Sequence, residues 1–339
     1  MTTYTLQMAF LDEILSKYPK RTLAVEELSN LLSIGKDAVY RRLRGDSELN
    51  LEEVNILANH HNVSLDELIF QNHEKALFTV NSFQNPVTNY DDYLKGLISY
   101  LDNAATLPNA EVIYATAEIP MFLYGTFPEV MCFKLYIWGK TVWGIKSATE
   151  SPFSLELFSP ETISLMKECS EKYMSFNSTE LWCLNIFDNT LNQIEFVLSN
   201  GNFKNVNDAL KICDSLSQLN QHVCKMAELG KKFSPGQDLE GASVPFELYH
   251  NELVFTNNTI MLKSDLTNII FSTYDSPNVL SSSDKRIFNH TMKWFEGIKN
   301  KSEYITEVSE RNRNLFFNKL ERKVEKTRNR IKAFIESDM

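Results

Sequence analysis

The chain has none of the short motifs that mark common catalytic or cofactor sites. There is no P-loop, no G-x-S-x-G, no G-x-G-x-x-G and no H-E-x-x-H. The sequence therefore points away from an enzyme, and no cofactor is expected. Cysteine is sparse as well. The five cysteines (Cys132, Cys169, Cys183, Cys213 and Cys224) are odd in number and widely spaced, with no C-x-x-C pair. That spacing argues against a zinc site or a disulfide framework and suits buried free thiols in a reducing cytoplasm. Histidine has no ligand-like spacing at His222, His250 and His290, while the adjacent His60 and His61 are expected on different faces of a helix, so no metal site is expected. Cys213 and Cys224 near His222 read as buried thiols of one amphipathic helix rather than a reactive pair. The most apolar window, Met121–Trp143, is broken by Glu129, Lys134 and Lys140. A spanning helix needs about 20 apolar residues, so none is expected. The N-terminus lacks a basic segment followed by an apolar run, so no secretory leader is expected. No internal repeat is visible.

Positive charge is also in deficit. The chain has 34 Lys and Arg against 44 Asp and Glu, a net charge of −10 with pI near 5.2. Its surface as a whole does not suit nucleic acid, but one small basic face remains compatible with that balance. What is present is apolar material, 43% of the residues, enough for a sizeable core in about two to three domains.

Five short helices are expected in residues 1–74. Leu6, Phe10, Leu11, Ile14 and Leu15 recur at helical spacing over Leu6–Tyr18. Ala24–Leu32 and Lys36–Leu43 follow, with Gly35 in the turn between them and Gly45 as the terminating glycine. Asn50 caps a fourth helix, with Glu53 completing a capping box, and Ser64 opens a fifth with Glu67 three residues on.

Residues 75–90 read as a linker, mostly for the polar, proline-containing run Val80–Tyr90. Beyond it the spacing predicts helices over Asp91–Leu101, Pro128–Trp143, Pro160–Tyr173 (with Ser159 as cap), Ser178–Leu198, Val206–Lys231, Ser283–Lys299 and Glu303–Ile335. Strands are expected at Glu111–Thr116, within Phe246–Leu262 (cut by turns at Asn251 and Asn257–Asn258) and at Asn268–Tyr274. The expected fold class is thus mainly α with a small β component: a five-helix N-terminal domain, and a large helical α+β domain over 91–339 carrying a small antiparallel sheet.

The strings AVYRRLRGDSELNLEEV (38–54) and NVSLDELI (62–69) carry a resemblance. Together with the order of the helices, they resemble the DNA-binding domain of Cro/phage-repressor (XRE-like) and BetR-type helix-turn-helix regulators over about residues 6–72. Ser29 falls on the small residue of the first motif helix, Val39 on the inward β-branched residue of the recognition helix, and Gly45 on its terminating glycine. Ser33 stands where the family has the glycine of the turn, and Arg42 where it has an apolar residue.

The physics of such a motif is specific. An α-helix fits the major groove, where arginine bonds guanine in a bidentate manner, while basic side chains and helix N-termini hold phosphates. Lys36, Asp37, Tyr40, Arg41 and Arg44 are spaced to project from one side of a short helix, and Lys20 and Arg21 are placed for a phosphate strand. Residues 1–74 nevertheless hold seven basic and twelve acidic residues. Affinity is therefore expected to lean on few phosphate contacts and on pairing of two domains. The acids at Glu26–Glu27, Glu52–Glu53 and Asp66–Glu67 are expected on helices facing away from DNA. The resemblance implies a cytoplasmic bacterial transcription regulator or repressor. Its partners would be double-stranded DNA and a second copy of itself, with a C-terminal domain that dimerises and has room for a small-molecule effector. The competing reading is an adaptor whose N-terminal bundle binds a protein. Two further stretches stand out: the aromatic run Met121–Trp143, read chiefly as core, and the basic helix Arg311–Lys332, read chiefly as a solvated helix that balances an acidic body.

Overall fold

A computed structural model describes residues 5–61, 63–70, 76–80, 86–252 and 258–337. The chain divides into two units, Met1–Leu77 and Phe78–Met339.

The first unit is helical throughout: α1 (Leu6–Ser16), α2 (Arg21–Leu32), α3 (Lys36–Arg44), α4 (Leu51–His61) and α5 (Leu65–Phe70). Phe10, Leu11, Ile14, Val25, Leu28, Val39, Leu43, Leu57 and Val63 meet in one small core. Its helix ends are set by identifiable residues. Thr5 caps α1 by accepting from Met8 N. Asn50 Oδ1 accepts from Glu53 N at 2.9 Å while Glu53 Oε2 accepts from Asn50 N at 3.0 Å, a reciprocal capping box. Gly45 ends α3 at φ +76°, a conformation that glycine adopts without cost. The side chain of Glu67, expected to support the start of α5, lies outside the described residues.

The second unit opens with β1 (Thr79–Val80), so part of the expected linker belongs to a sheet. Residues 81–85 of that linker lie outside the described residues. There follow α6 (Tyr90–Ala105), β2 (Glu111–Thr116), α7 (Met121–Tyr124), α8 (Pro128–Trp138), α9 (Lys146–Thr149), α10 (Pro160–Met174), β3 (Asn177–Cys183), α11 (Asp188–Ser199) and α12 (Asn207–Leu229). The chain closes with β4 (Lys231–Lys232), β5 (Val244–Asn251), β6 (Thr259–Lys263), β7 (Ile269–Thr273), β8 (Val279–Ser282), α13 (Lys285–Lys299), β9 (Glu303–Tyr304) and α14 (Glu310–Ser337).

The expectation of a small antiparallel sheet is overturned. Among the described residues the strands form one nine-stranded mixed sheet, in the order β1-β8-β7-β6-β2-β3-β5-β4, with β9 also on β5. Its centre is parallel: β2 runs with β3 (Val112 opposite Ser178) and β3 runs with β5 (Ser178 opposite Phe246). Two crossovers make this possible, one through α7–α10 and one through α11–α12. The expected helix Ser178–Leu198 is therefore a strand followed by a helix. β3 is buried on both faces from Ser178 to Cys183, so it lacks the alternation that marks a half-exposed strand, and its apolar residues run on into the helical pattern of α11. β5 and β6 are not a hairpin, since β5 pairs with β3 and β6 with β2. The turn expected at Asn257 lies outside the described residues.

One face of the sheet, with Val112, Trp182, Phe246 and Leu248, packs under the main helical layer. The other, with Ile113, Ala115, Leu181, Met261 and Ile270, is covered by Phe288 and Phe295 of α13. Every residue of α8 from Val130 to Trp138 is buried. A helix apolar around its whole circumference belongs inside a layer, so the aromatic run is core. The basic helix α14 lies on its own domain through Phe316, Phe317, Leu320, Val324 and Ile331. Four of its cations pair with that body: Lys319 with Glu252, Lys323 with Asp188, Arg328 with Asp214 and Arg330 with Glu195. No helix among the described residues is long and apolar enough to cross a membrane.

Candidate nucleic-acid interface

The helices α2 and α3 are joined by Ser33, Ile34 and Gly35. Ser33 adopts φ +53°, the left-handed conformation that a glycine would take there. Ser29 Oγ donates to Ile34 O at 2.5 Å, so the small residue of α2 closes the turn with its own hydroxyl. Gln7 of α1 fixes the far end of α3. Its amide donates to Arg42 O at 3.0 Å and Ser47 O at 2.8 Å, and its oxygen accepts from Leu49 N at 2.8 Å. The α3 helix is thereby held at both ends.

Around α3, Val39 and Leu43 point into the core. Lys36, Asp37, Arg41 and Arg44 are exposed on the opposite side, with Tyr40 half-buried beside them. Lys20 and Arg21 are exposed at the start of α2, which has no side-chain cap. Two of these cations already have acidic neighbours: Lys36 lies 3.4 Å from Glu26, and Arg44 lies 2.8 Å from Asp46. Both pairs are more than half exposed, and exposed pairs are worth only about 0–1 kcal/mol, so a phosphate or base can replace either acid. Arg41 has no ion-pair partner among the described residues. Glu26 does not stay clear of this face, as expected from sequence, but borders it at Lys36.

Arg42 is excluded from the face. Its Nη2 donates to Glu53 Oε1 at 2.6 Å and its Nε to Glu53 Oε2 at 3.2 Å, with both side chains mostly buried. A bidentate pair between α3 and α4 thus stands where the resemblance led to the expectation of an apolar contact. The same carboxylate serves the capping box, so Glu53 is structural. The sequence sets Arg42 apart from the exposed set without naming its partner. The signal available in the sequence was Glu53 itself, at N3 of the next helix.

A second cluster joins α2 and α4. His60 Nε2 lies 2.7 Å from Glu27 Oε1, and Tyr18 Oη lies 3.4 Å from His61 Nδ1. Adjacency does not send the two histidines to separate places: their ring centroids are 4.8 Å apart. Bonding to His60 and Tyr18 holds the Glu27 carboxyl below its usual range.

A site with chemical potential lies in the second unit. A pocket of about 790 Å³ is lined by Gly125, Thr126 and Pro128 from the aromatic run, by Lys167 and Glu171, and by residues 232–237 and 241–244. At its wall Lys232 is almost fully buried, with Nζ 3.5 Å above the Tyr173 ring and 3.4 Å from Tyr173 O. Tyr173 Oη in turn donates to the buried Glu180 at 2.5 Å, which also accepts from Ser178 Oγ and Trp182 Nε1. Burial pulls the Lys232 amine down to about 7. Thr126 Oγ1, on the same pocket, is buried without a hydrogen-bond partner. A second buried amine, Lys134, donates to Gln193 Oε1 at 3.0 Å with Glu118 at 3.8 Å.

The cysteines offer no nucleophile. Four of the five are buried and Cys224 is half-buried, and all are free. Burial pushes the Cys132, Cys169 and Cys213 thiols up to about 12. His222 donates to Phe233 O at 2.9 Å rather than serving a cysteine.

Compared with protein-family models, curated proteins and solved structures, the chain matches none of them.

Proposed function

We propose that the protein is a sequence-specific DNA-binding transcription regulator, with α3 as the helix that enters the major groove. The observation that carries this is the division of α3. Val39 and Leu43 bind the core and Arg42 binds Glu53, leaving Lys36, Asp37, Tyr40, Arg41 and Arg44 together on an exposed side. Arg41 and Arg44 are one turn apart and suited to guanine edges, while Lys20 and Arg21 suit a phosphate strand. The flanking acids make a single copy a weak binder. Two copies paired through the larger unit, about 34 Å apart on one side of the duplex, would supply affinity and specificity. The protein acts in the cytoplasm, and the Lys232 pocket serves an effector that shifts the pairing. No cofactor and no catalytic step enter this reading.

A gel-shift titration against the DNA upstream of the protein's own gene tests it. Binding should weaken steeply with salt, by about 0.9 in log K per log salt for each phosphate contact. Arg41→Ala should lose site preference by about 5- to 150-fold with folding intact, since one good bidentate contact is worth about 1–3 kcal/mol. Lys20→Ala should weaken all DNA alike. Binding that ignores salt, or an Arg41→Ala protein with full site preference, refutes the assignment.

A further inference from the structure

We propose that Glu27, His60 and His61 form a binding site for a divalent transition-metal ion of the zinc type, clamping α2 to α4. One donor atom from each residue lies within 4.8 Å of the other two. Two imidazole nitrogens and one carboxylate oxygen are a donor set for zinc and its neighbours rather than for magnesium or calcium, which take oxygen ligands.

A second observation points to a ligand. His61 is nine-tenths buried, and its Nε2 has no hydrogen-bond partner. A buried polar atom without a partner is rare in folded proteins, and a coordinated ion would use its lone pair. The sequence neighbours sit at the end of α4, where the two rings stand nearly edge to face at 84°. His60 Nε2 and Glu27 Oε1 are hydrogen-bonded at 2.7 Å, so an ion entering between them displaces the shared proton and opens the pair slightly. Bonds of about 2.0–2.1 Å place tetrahedral ligands about 3.3 Å apart, so the widest pair must close by about 1.5 Å. His60 and Glu27 are 45% and 41% exposed, which gives them the freedom to do so and leaves water an open coordination position. Tyr18 Oη borders the cluster beside His61. Lys17 is a cation close to the cluster, donating to His61 O at 2.5 Å, and the Glu27 carboxylate offsets its charge. An ion here joins the first helix of the α2–α3 pair to the helix that holds Arg42 through Glu53. Metal would then stabilise the whole N-terminal unit, whether or not that unit binds DNA.

The test is calorimetric titration of the chelator-treated full-length protein with Zn²⁺, with Co²⁺ as a visible reporter of nitrogen and oxygen ligation. The expected result is one ion per chain, bound at least tenfold more weakly by Glu27→Gln and by His60→Gln. Both residues are about half exposed, so these variants keep the fold, as circular dichroism will check. Hydrogen exchange over residues 21–61 should slow with zinc in the unaltered protein and not in the variants. No zinc uptake overturns the proposal. So does uptake that both variants retain unchanged, which would place the ion elsewhere.

Discussion

Replacing Arg42 by alanine separates two roles played by arginines within one turn of α3. The Arg42 and Glu53 side chains keep 17% and 11% exposure and share two hydrogen bonds, at 2.6 and 3.2 Å. Deleting the guanidinium strands a mostly buried carboxylate, with Asn50 N–H at 3.0 Å still donating to it. Breaking a buried pair from one side costs about 3–5 kcal/mol, and the surviving donor and residual exposure set this case near 3 kcal/mol. At 1.4 kcal/mol per factor of ten, the opening equilibrium of the first unit rises roughly 150-fold. All four tryptophans (Trp138, Trp143, Trp182 and Trp294) lie in the second unit, so their emission is blind to this loss. Amide hydrogen exchange over residues 36–61 reads it directly. Arg41→Ala, at an exposed position, should change stability by no more than about 0.5 kcal/mol. In a double-mutant cycle, Arg42→Ala and Glu53→Ala together should cost less than the sum of the single changes. Exchange in Arg42→Ala within threefold of the parent, combined with a loss of DNA affinity like that of Arg41→Ala, would refute this division of roles.

Two further outcomes concern the second unit, where tryptophan emission does report unfolding. A Cβ added at Gly125 would press on the backbone oxygen of Met166 and stand 2.9 Å from Ser170 Cβ, so Gly125→Ala should cost about 1–3 kcal/mol, and an unchanged urea midpoint would contradict the packing. Burial lowers the Lys232 amine from 10.5 to about 7. Between these values the unfolded chain binds more protons, so stability rises with pH by up to about 1.4 kcal/mol per unit. The cost of the buried ammonium is present in full below that window and is gone above it. Lys232→Met should flatten the slope of urea midpoint against pH between about 7.5 and 9.5, and an unaltered slope would show that the amine does not titrate there.

The N-terminal unit was legible because its structure is local. Each helix carries its own apolar spacing, and Asn50 with Glu53 and Gly45 mark helix ends that the sequence shows directly. The proposed contact face follows from the same 3.6-residue period, since the side of α3 that buries Val39 and Leu43 leaves Lys36, Tyr40, Arg41 and Arg44 on the other. The family pattern also marked Ser33 and Arg42 as departures. The structure supplies their compensations, a left-handed serine and a carboxylate from α4.

The large unit divides differently between the two kinds of information. Composition and periodicity alone determined that it would bury a sizeable apolar core, that α10 starts after Ser159, that β2 spans Glu111–Thr116, and that the five thiols are inward-facing or nearly so. Tertiary structure alone decided the sheet. Parallel pairing joins strands far apart in the chain, such as Ser178 and Phe246, and leaves no turn between them to be read. A central strand buried on both faces loses the alternation that would mark it, and strands two residues long, such as β4 and β9, exist only because β5 lies beside them. The same holds for the chemistry. Lys232 over Tyr173, and His60 and His61 beside Glu27, are arrangements of residues 33 to 59 positions apart, made by packing rather than by spacing.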